Sequence, residues 1–441
     1  MDEFKNRRDK LLTHMQNDSI FLLAGAKMQY RNNDVQYVFR QDSDFYYLSG
    51  FNEADAVMAL IKDDKGIAKY VLFNLANDQH AEIWNGKRAG QNGARAIYAA
   101  DEAYDINDID RVMPNLLVNK RTIYYPLAAN QEFDLQILAW LRTTKLNFTH
   151  KNKSEDAALK FVPEILMDIM PFIHEMRLFK STQEIASMRK AAEVSALAHT
   201  KLMQTCKPGQ MEYQLEAIFN QYCLDAGCRG LAYQSIVAGG NNSCILHYVN
   251  NDQVLKDGEL VLVDAGAEYN YYAADITRTF PVNGKFTSEQ KEIYSLVLAA
   301  QLAGITAIKP GNTFDRVQAV ILQVIVTGLV RLGLLHGEVE ELIKNKAYQK
   351  FYMHSSGHWL GLDVHDVGKY KLNGKWREFV PGMVLTVEPG IYIAANSIDV
   401  ESKWLGIGVR IEDDVLVTEH GHEVLSHKVP KKIAEIERAA I

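Results

Sequence analysis

Short apolar runs and helical patterns alternate over the first part of the chain. Residues 56–61 and 69–73 are compact apolar runs typical of strands, whereas residues 132–141 repeat apolar positions at helical spacing. A helical pattern is also predicted up to about Phe172. These patterns predict a smaller amino-terminal α/β domain over residues 1–174.

A different pattern begins after residue 175. Ser181 and Glu184 have the spacing of a capping box, which predicts a helix from about Thr182 to Gln204. That helix ends at Lys-Pro-Gly (residues 207–209) and a second follows over residues 211–226. The same order recurs about one hundred residues later, with a helix from Ser288, Lys-Pro-Gly at 309–311 and a helix over 314–332.

The strand segments that follow the two helix pairs also correspond. Residues 257–266 align with residues 381–390, so that Gly falls on Gly twice and Asp264 falls on Glu388. Turn-strand-turn segments can look alike by chance, but an acidic residue at the same strand end in both halves argues against it. We predict an α+β fold in which residues 175–441 form two helix-helix-sheet halves with pseudo-two-fold symmetry. A ligand site between such halves is a natural expectation.

Composition excludes several classes of protein. The 441 residues are 47% hydrophobic and carry 48 Lys and Arg against 55 Asp and Glu, a net charge of −7. We therefore expect no nucleic-acid partner, because such proteins usually carry a basic excess. The apolar run at residues 20–26 is too short to span a bilayer and no longer one occurs, so no membrane association is expected. Four sparse cysteines predict a reducing, cytoplasmic setting rather than a disulfide framework.

Two aspartates give the first chemical signal. If a hairpin turns at Tyr269-Asn270, Asp264 and Asp275 face each other across the strands with Cβ atoms roughly 4.5–5.5 Å apart. Carboxylates at that distance repel unless a cation lies between them. A single aspartate that merely supports the turn is the alternative.

Histidines and glutamates later in the chain complete a set of metal-ligand candidates. His354, His358 and His365 lie within twelve residues, and Glu388 and Glu412 close runs of β-branched residues whose interior disfavours an unpaired charge. Four carboxylates balance two divalent ions and leave His358 as a neutral ligand beside a bridging water. Mainly oxygen ligands favour Mn²⁺, with Co²⁺ or Zn²⁺ as alternatives, and the lack of cysteine excludes a structural zinc site. The five predicted ligands are Asp264, Asp275, His358, Glu388 and Glu412.

The order and surroundings of these five residues resemble the pita-bread metallopeptidases. The tracts at residues 245–248, 264–266, 275–281 and 358–368 are similar in sequence and order to that family, and residues 39–51 and 81–84 resemble the amino-terminal domain of its aminopeptidase P members. The resemblance implies that Asp275 and Glu412 bridge two metal ions, that Asp264 holds one ion, and that His358 and Glu388 hold the other.

The resemblance also implies an activity. A bridging hydroxide would attack the carbonyl that precedes proline, with Glu388 moving its proton. His247 and His365 would stabilise the tetrahedral intermediate and position the peptide, and His354 would line the pocket for the proline ring. Arg410 is expected near the site as a structural or substrate contact, and Trp84 as a further substrate contact. One departure is Ser355, where relatives usually have glycine after the histidine. If that position requires a positive φ, serine is strained there.

The leading hypothesis is therefore a dinuclear metallo-aminopeptidase that acts on peptides with proline at the second position. Prolidase, which is restricted to Xaa-Pro dipeptides, is the nearest alternative. A non-catalytic binding module or a metal-free creatinase-like enzyme is expected to lose some of the five ligands, and none is lost here. Family analogy predicts a homo-oligomer, a dimer or tetramer, with residues 1–174 shaping substrate access and subunit contacts.

Overall fold

A computed structural model describes residues 2–151 and 161–440 of the chain. It divides into two compact units, Met1–Met176 and Arg177–Ile441. Within the described ranges, none of the helices combines the length and apolar character that crossing a bilayer requires.

The first unit is an α/β domain built on a mixed sheet. Six of its described strands form this sheet, in the spatial order Glu102–Asp105 (β6), Ala68–Asn74 (β5), Val57–Lys62 (β4), Ser19–Ala24 (β1), Thr122–Tyr124 (β7) and Ile165–Met167 (β8). The buried strand β1 lies antiparallel to β4 and parallel to β7. The helices are α1 Asp2–His14, α2 Ser43–Ser49, α3 Gln79–Asn85, α4 Gly90–Ala96, α5 Ile109–Leu116, α6 Gln131–Lys151 and α7 Met170–Leu178, the last of which continues into the second unit. The strands are β1 Ser19–Ala24, β2 Tyr30–Asn32, β3 Val35–Gln36, β4 Val57–Lys62, β5 Ala68–Asn74, β6 Glu102–Asp105, β7 Thr122–Tyr124 and β8 Ile165–Met167.

The strands predicted at residues 56–61 and 69–73 are confirmed as β4 and β5, and the predicted helix at 132–141 lies within α6. The helical pattern predicted up to Phe172 is wrong at Ile165–Met167, which pair in parallel with Thr122–Tyr124. A short apolar run is compatible with a helix or with a strand. Here the backbone hydrogen bonds to the edge of β7 stabilise the strand. The part of that prediction before residue 161 lies outside the described residues.

The second unit contains the predicted helix pairs and small antiparallel sheets. Its helices are α8 Thr182–Thr205, α9 Glu212–Asp225, α10 Ser288–Ala307, α11 Phe314–Arg331, α12 Val339–Lys344 and α13 Ile433–Ala439. Its strands are β9 Gly230–Leu231, β10 Ile236–Gly239, β11 Leu260–Asp264, β12 Ala267–Tyr269, β13 Tyr272–Ala273, β14 Thr277–Pro281, β15 Lys371–Leu372, β16 Lys375–Trp376, β17 Val384–Val387, β18 Gly390–Ile393, β19 Ile407–Arg410, β20 Asp413–Thr418 and β21 Gly421–Val424.

Local chemistry explains where helix α8 begins. The Ser181 hydroxyl accepts a hydrogen bond from the Glu184 N–H at 3.2 Å, and the Glu184 carboxylate accepts one from the Ser181 N–H at 2.8 Å. The predicted capping box is thus confirmed. Apolar side chains of α8 to α11 and of several strands form one core, which includes Phe219, Val263 and Val387.

The two halves of the second unit share their hydrogen bonds as well as their element order. The Gly209 N–H donates to the Leu255 carbonyl at 2.8 Å, and the corresponding Gly311 N–H donates to the Phe379 carbonyl at 3.0 Å. Each glycine has a positive φ, 89° and 84°. Both Lys-Pro-Gly turns therefore connect the two helices of a pair and contact the chain just before the following strand, as the duplicated fold requires.

The hairpin that carries the two aspartates turns one residue later than predicted. Its two-residue turn is Asn270-Tyr271, with φ values of 50° and 71°, which matches the right-handed twist of the flanking strands. Asp264 consequently lies opposite Thr277 rather than Asp275. The two aspartates are diagonal neighbours, and the predicted direct pairing is wrong.

Candidate metal centre

A cavity of about 390 Å³ in the second unit collects almost all predicted site residues. The predicted residues that line it are His247, Asp264, Asp275, His354, His358, His365, Glu388, Arg410 and Glu412, and the further lining residues are Leu246, Ser355 and Tyr370. Trp84 belongs to the first unit, where it lies on α3 with 77% of its surface exposed. Its predicted contact with substrate stays a prediction.

Strand ends place the four carboxylates. Asp264 is the last residue of β11, Asp275 lies between β13 and β14, Glu388 follows β17, and Glu412 lies between β19 and β20. The corresponding positions of Asp264 and Glu388 at the ends of β11 and β17 follow from the duplication. Buried strands thus deliver charged groups to one place.

Asp275, His358 and Glu412 form the tightest group. Ligand atoms from these three side chains all lie within 4.8 Å of one another. The Nε2 atom of His358 is 3.3 Å from Oδ2 of Asp275 and 3.6 Å from Oε1 of Glu388. The Nδ1 atom of His358 is 2.9 Å from the Trp359 carbonyl, a contact that requires a proton on Nδ1. The opposite nitrogen, Nε2, therefore faces the carboxylates as a potential ligand.

Asp264 is held from two sides. Its Oδ1 atom accepts a hydrogen bond from the Tyr233 hydroxyl at 2.6 Å, and its Oδ2 atom is 2.6 Å from the Arg410 guanidinium. The same Tyr233 oxygen is 2.6 Å from Oδ1 of Asp275. Since each carboxylate oxygen has two lone pairs, Asp264 retains capacity for a cation while these bonds fix its orientation.

Glu412 is fixed by side-chain and backbone bonds. The Thr277 hydroxyl donates to Glu412 Oε2 at 2.6 Å and accepts from Arg410 Nε at 3.1 Å. The Glu412 carbonyl accepts a hydrogen bond from the fully buried Arg278 at 2.6 Å, and Arg278 also pairs with the buried Asp413 at 2.7 Å. These contacts hold the glutamate side chain toward the cavity.

The buried carboxylates resist ionisation in the absence of a cation. Burial, assisted by repulsion from Asp275, raises the pKa of Glu412 well above its ordinary value. Burial also raises the pKa of Asp275, and it raises the pKa of Glu388 to about 7. Burial alone would lower the pKa of His358, but the hydrogen bond to Asp275, the charges of Asp275 and Glu388 and the bond to the Trp359 carbonyl together outweigh burial and raise that pKa to about 9. A centre with these shifts has a strong demand for positive charge.

His354 stands beside this group and is held in its neutral form. Burial lowers the pKa of His354 to about 4, its Nε2 is 2.8 Å from the Tyr392 hydroxyl, and its Nδ1 is 3.7 Å from Oε2 of Glu388. Tyr392 also accepts a hydrogen bond from Arg410 at 3.1 Å. The φ of Ser355 is not positive, so serine carries no strain in place of glycine.

The other two histidines are more exposed. The His365 ring lies edge-on to His358, with ring centroids 4.3 Å apart. His247 follows the short 3-10 helix Gly240–Cys244 and reaches the cavity from an irregular segment. Both positions suit contact with a bound peptide more than coordination of a buried cation.

Several residues of the centre were not predicted from the sequence. Tyr233, Thr277 and Tyr392 bond to predicted ligands or their neighbours, and Asp414 accepts the Asp275 N–H at 3.1 Å. Thr277 and Asp414 lie within two residues of predicted ligands, and this proximity in sequence is the feature from which they could be predicted. A tyrosine beside a strand is typical of an apolar core, so nothing in the pattern distinguishes Tyr233 or Tyr392.

The chain is similar to metallopeptidases over almost its whole length. A model of "Metallopeptidase family M24" matches residues 186–419, and one of "Aminopeptidase P, N-terminal domain" matches residues 4–124. The chain is 45% identical to the Xaa-Pro aminopeptidase of Haemophilus influenzae, over 99% of this chain and 96% of that protein.

Solved structures agree over the same length. The aminopeptidase PepP of Pseudomonas aeruginosa superposes with a TM-score of 0.95 at 49% identity, covering 99% of this chain and 97% of that chain. An aminopeptidase P variant of Escherichia coli in complex with substrate superposes with a TM-score of 0.94 at 43% identity, covering 99% and 97%.

Proposed function

The chain belongs to metallopeptidase family M24, and from that membership we propose that it is an Xaa-Pro aminopeptidase, which removes the first residue from peptides with proline at the second position. The observation that carries the proposal is the single cavity that holds four acidic side chains and His358. The enzyme is a metallo-aminopeptidase, a hydrolase of peptide bonds.

The donor set fits two divalent cations. Four carboxylates supply the charge that two such ions require, and the Nε2 atom of His358 supplies an imidazole ligand. In a loaded centre Asp275 and Glu412 would contact both ions, Asp264 would hold one, and His358 and Glu388 would hold the other. The excess of oxygen ligands supports Mn²⁺, with Co²⁺ or Zn²⁺ as alternatives. When bound, such an ion pair lowers the pKa of water and polarises the carbonyl of the scissile bond.

Glu388 is the residue placed to move a proton. Its two oxygens point between His358 and His354, at 3.6 Å and 3.7 Å from their ring nitrogens. Proline in a peptide has no N–H, so its nitrogen must receive a proton when it leaves as a secondary amine. We assign Glu388 the transfer of the proton from water to that nitrogen, a role that suits a carboxyl group whose pKa is raised.

The histidines would bind and orient the peptide. We assign His247 and His365 hydrogen bonds to the substrate carbonyl, which gains negative charge as its carbon is attacked. His354, kept neutral by burial, would pack against the proline ring. The three nitrogens of Arg410 donate to Asp264, Thr277 and Tyr392. This supports a positioning role for Arg410 rather than direct recognition of substrate.

Metal dependence is tested by elemental analysis and reconstitution. We expect about two divalent ions per chain in the purified protein, loss of Xaa-Pro-Yaa hydrolysis after chelation, and recovery on addition of Mn²⁺. The Glu388→Gln variant, loaded with metal in parallel, controls for hydrolysis by contaminating peptidases. Full activity in protein free of metal would refute the proposal.

Substrate length separates this proposal from prolidase. Rates on Xaa-Pro and Xaa-Pro-Yaa should be compared at equal metal content, with Xaa-Ala-Yaa as the control for proline specificity. The match of residues 4–124 to the aminopeptidase P domain supports cleavage of the longer peptide. Activity confined to the dipeptide would favour prolidase instead.

We also propose a cytoplasmic homo-oligomer, a dimer or tetramer. The four free cysteines suit a reducing compartment. Ile83 and Trp84 are 79% and 77% exposed side by side on α3, and apolar surface of this kind supports association or substrate contact. Light scattering after size-exclusion chromatography tests the assembly, and a monomer at all concentrations would contradict it.

A further inference from the structure

A fully buried carboxylate outside the metal centre has all its hydrogen bonds directed at one segment. Glu212 is the first residue of α9 and is 0% exposed. Its Oε1 atom accepts hydrogen bonds from the Gly239 N–H at 2.8 Å and from Asn242 Nδ2 at 3.1 Å. Its Oε2 atom accepts from the Tyr248 hydroxyl at 2.8 Å and from the Gln253 N–H at 3.0 Å. Four donors offset the cost of burying this carboxylate.

These donors mark both ends and the middle of one loop. We call residues 240–252 the His247 loop, because they connect strand β10 to the segment that begins at Gln253. Gly239 precedes the loop and Gln253 follows it, so the Glu212 carboxylate bonds to both of its ends. Tyr248 reaches the same carboxylate from the middle of the loop. Its sequence neighbour His247 lines the cavity.

We propose that Glu212 is a positioning residue for His247. His247 is itself exposed, so its place in the cavity depends on the path of the loop backbone. A loop closed at both ends by a single carboxylate and tied to it again in the middle samples fewer conformations than a free loop of the same length. The inference rests on the proposed function, in which His247 binds the substrate carbonyl.

The carboxylate cannot be replaced by its isosteric amide at this position. Each oxygen of Glu212 accepts two hydrogen bonds, and the NH₂ group of glutamine accepts none. In Glu212→Gln the NH₂ group of the amide would therefore face two of the four hydrogen-bond donors, and those two hydrogen bonds would be lost. We expect the ends or the middle of the His247 loop to shift, and a displacement of about 1 Å at His247 is enough to lower the rate of catalysis.

A double-mutant cycle tests the inference. Rates on an Xaa-Pro-Yaa peptide are measured for metal-loaded wild type, Glu212→Gln, His247→Ala and the double variant, the last two at high enzyme concentration. We expect Glu212→Gln to lower kcat about 10- to 100-fold with unchanged metal content. In the His247→Ala background the same change should cost less than about threefold, because the residue it positions is absent. Equal factors in both backgrounds, or an unaffected Glu212→Gln enzyme, would overturn the proposal.

Two further variants keep the test decisive. Asp225→Asn makes the same change of charge at the exposed last residue of α9, and we expect less than about threefold loss. A loss equal to that of Glu212→Gln would assign the effect to helix charge and overturn the proposal. If Glu212→Gln does not fold, Tyr248→Phe, which removes one donor, takes its place in the cycle. Failure of metal-loaded wild type to cleave Xaa-Pro peptides would instead refute the proposed function.

Discussion

At the scale of single residues, one phenol hydroxyl serves two carboxylates. The Tyr233 oxygen is 2.6 Å from an oxygen of Asp264 and 2.6 Å from an oxygen of Asp275, yet it has one proton to donate. One of these short contacts therefore needs a proton on the carboxylate or a cation nearby. Tyr233 is thus an outer partner of both proposed ligands.

We predict that Tyr233→Phe lowers metal affinity about 10- to 100-fold, the range typical for loss of an outer partner of a metal ligand. Calorimetric titration of metal-free protein with Mn²⁺ measures the change. Tyr213→Phe, at a half-exposed position on α9, is the matched control and should bind metal as wild type does. Unchanged affinity of the Tyr233 variant would show that the two aspartates need no help from the phenol.

Asp264 combines a proposed metal contact with an ion pair. We predict that Asp264→Ala lowers hydrolysis by about 10³-fold or more, equivalent to roughly 4 kcal/mol of transition-state stabilisation. The variant should remain folded but lose about 3 kcal/mol of stability, because the buried Arg410 loses its only paired carboxylate among the described residues. Steady-state rates and circular dichroism measure the two effects. Unchanged turnover would remove Asp264 from the metal centre.

The sequence predicts residues of the metal centre only where the residue type itself indicates metal binding. Glu388 is visible in the sequence because it closes an apolar run in which an unpaired charge is costly to bury, and His358 is visible because it belongs to a cluster of three histidines within twelve residues. Tyr392 and Tyr233 are not visible in this way, because an aromatic residue on or near a strand has an adequate reason to be there in packing alone. Their hydroxyl partners come from distant segments.

At the scale of elements, the aspartate hairpin shows how small errors in a turn propagate. Moving the turn from residues 269–270 to Asn270-Tyr271 shifts the pairing by two residues, so that Asp264 lies opposite Thr277. Both residues of the turn have positive φ, which the sequence Tyr-Asn-Tyr-Tyr does not specify. Helix α8 was easier to predict because its capping box is a local signal.

In the same hairpin, Gly266 lies too close to the opposite segment to carry a side chain. A Cβ added to Gly266 would overlap the backbone carbonyl of Ala274 on the opposite segment, and backbone cannot rotate away. We predict that Gly266→Ala costs about 3 kcal/mol and separates Asp264 from Asp275 enough to weaken metal binding. Urea unfolding and metal titration measure both effects.

Gly230 provides the control for this substitution. It lies on β9 in the same small sheet, its φ is not positive, and a Cβ there meets nothing within 4 Å. Gly230→Ala should leave metal binding unchanged and stability unchanged or higher by about 0.4–1 kcal/mol. Equal stability of the two variants would mean that the close approach at Gly266 does not constrain the hairpin.

At the scale of the whole molecule, duplication explains why so few signals sufficed to predict the second unit. Each half repeats helix, Lys-Pro-Gly turn, helix and strand, so that Asp264 and Glu388 are equivalent by position. The repeat predicts which strand ends correspond. It does not predict segments that differ between the halves, including the His247 loop and the bonds that Glu212 makes to it.

The buried ionisable groups of the centre also make the stability of the metal-free folded chain depend on pH. A group with a raised pKa in the folded state binds protons more tightly there than when unfolded, so stability falls as pH rises toward that pKa. His358, with a pKa of about 9, acts in this direction above pH 6.5, and the raised pKa of Glu412 has the same sign above that residue's ordinary value. The buried His199 and His354, with pKa values lowered to about 4, act in the opposite direction, but only below about pH 6.5.

We therefore predict that metal-free protein loses roughly 1–2 kcal/mol of stability between pH 6.5 and pH 8, while metal-loaded protein does not, because bound cations replace the protons. The upper limit matters, since burial raises the pKa of the four cysteine thiols and adds a loss of the same sign at higher pH. Urea unfolding across this range, with and without Mn²⁺, measures the difference. Metal-free His358→Gln is the control and should show a shallower slope, because the titrating imidazole is gone. A metal-free slope equal to that of the loaded enzyme would mean that the carboxylates tolerate one another without cations, and the case for two metal ions would then fail on physical grounds.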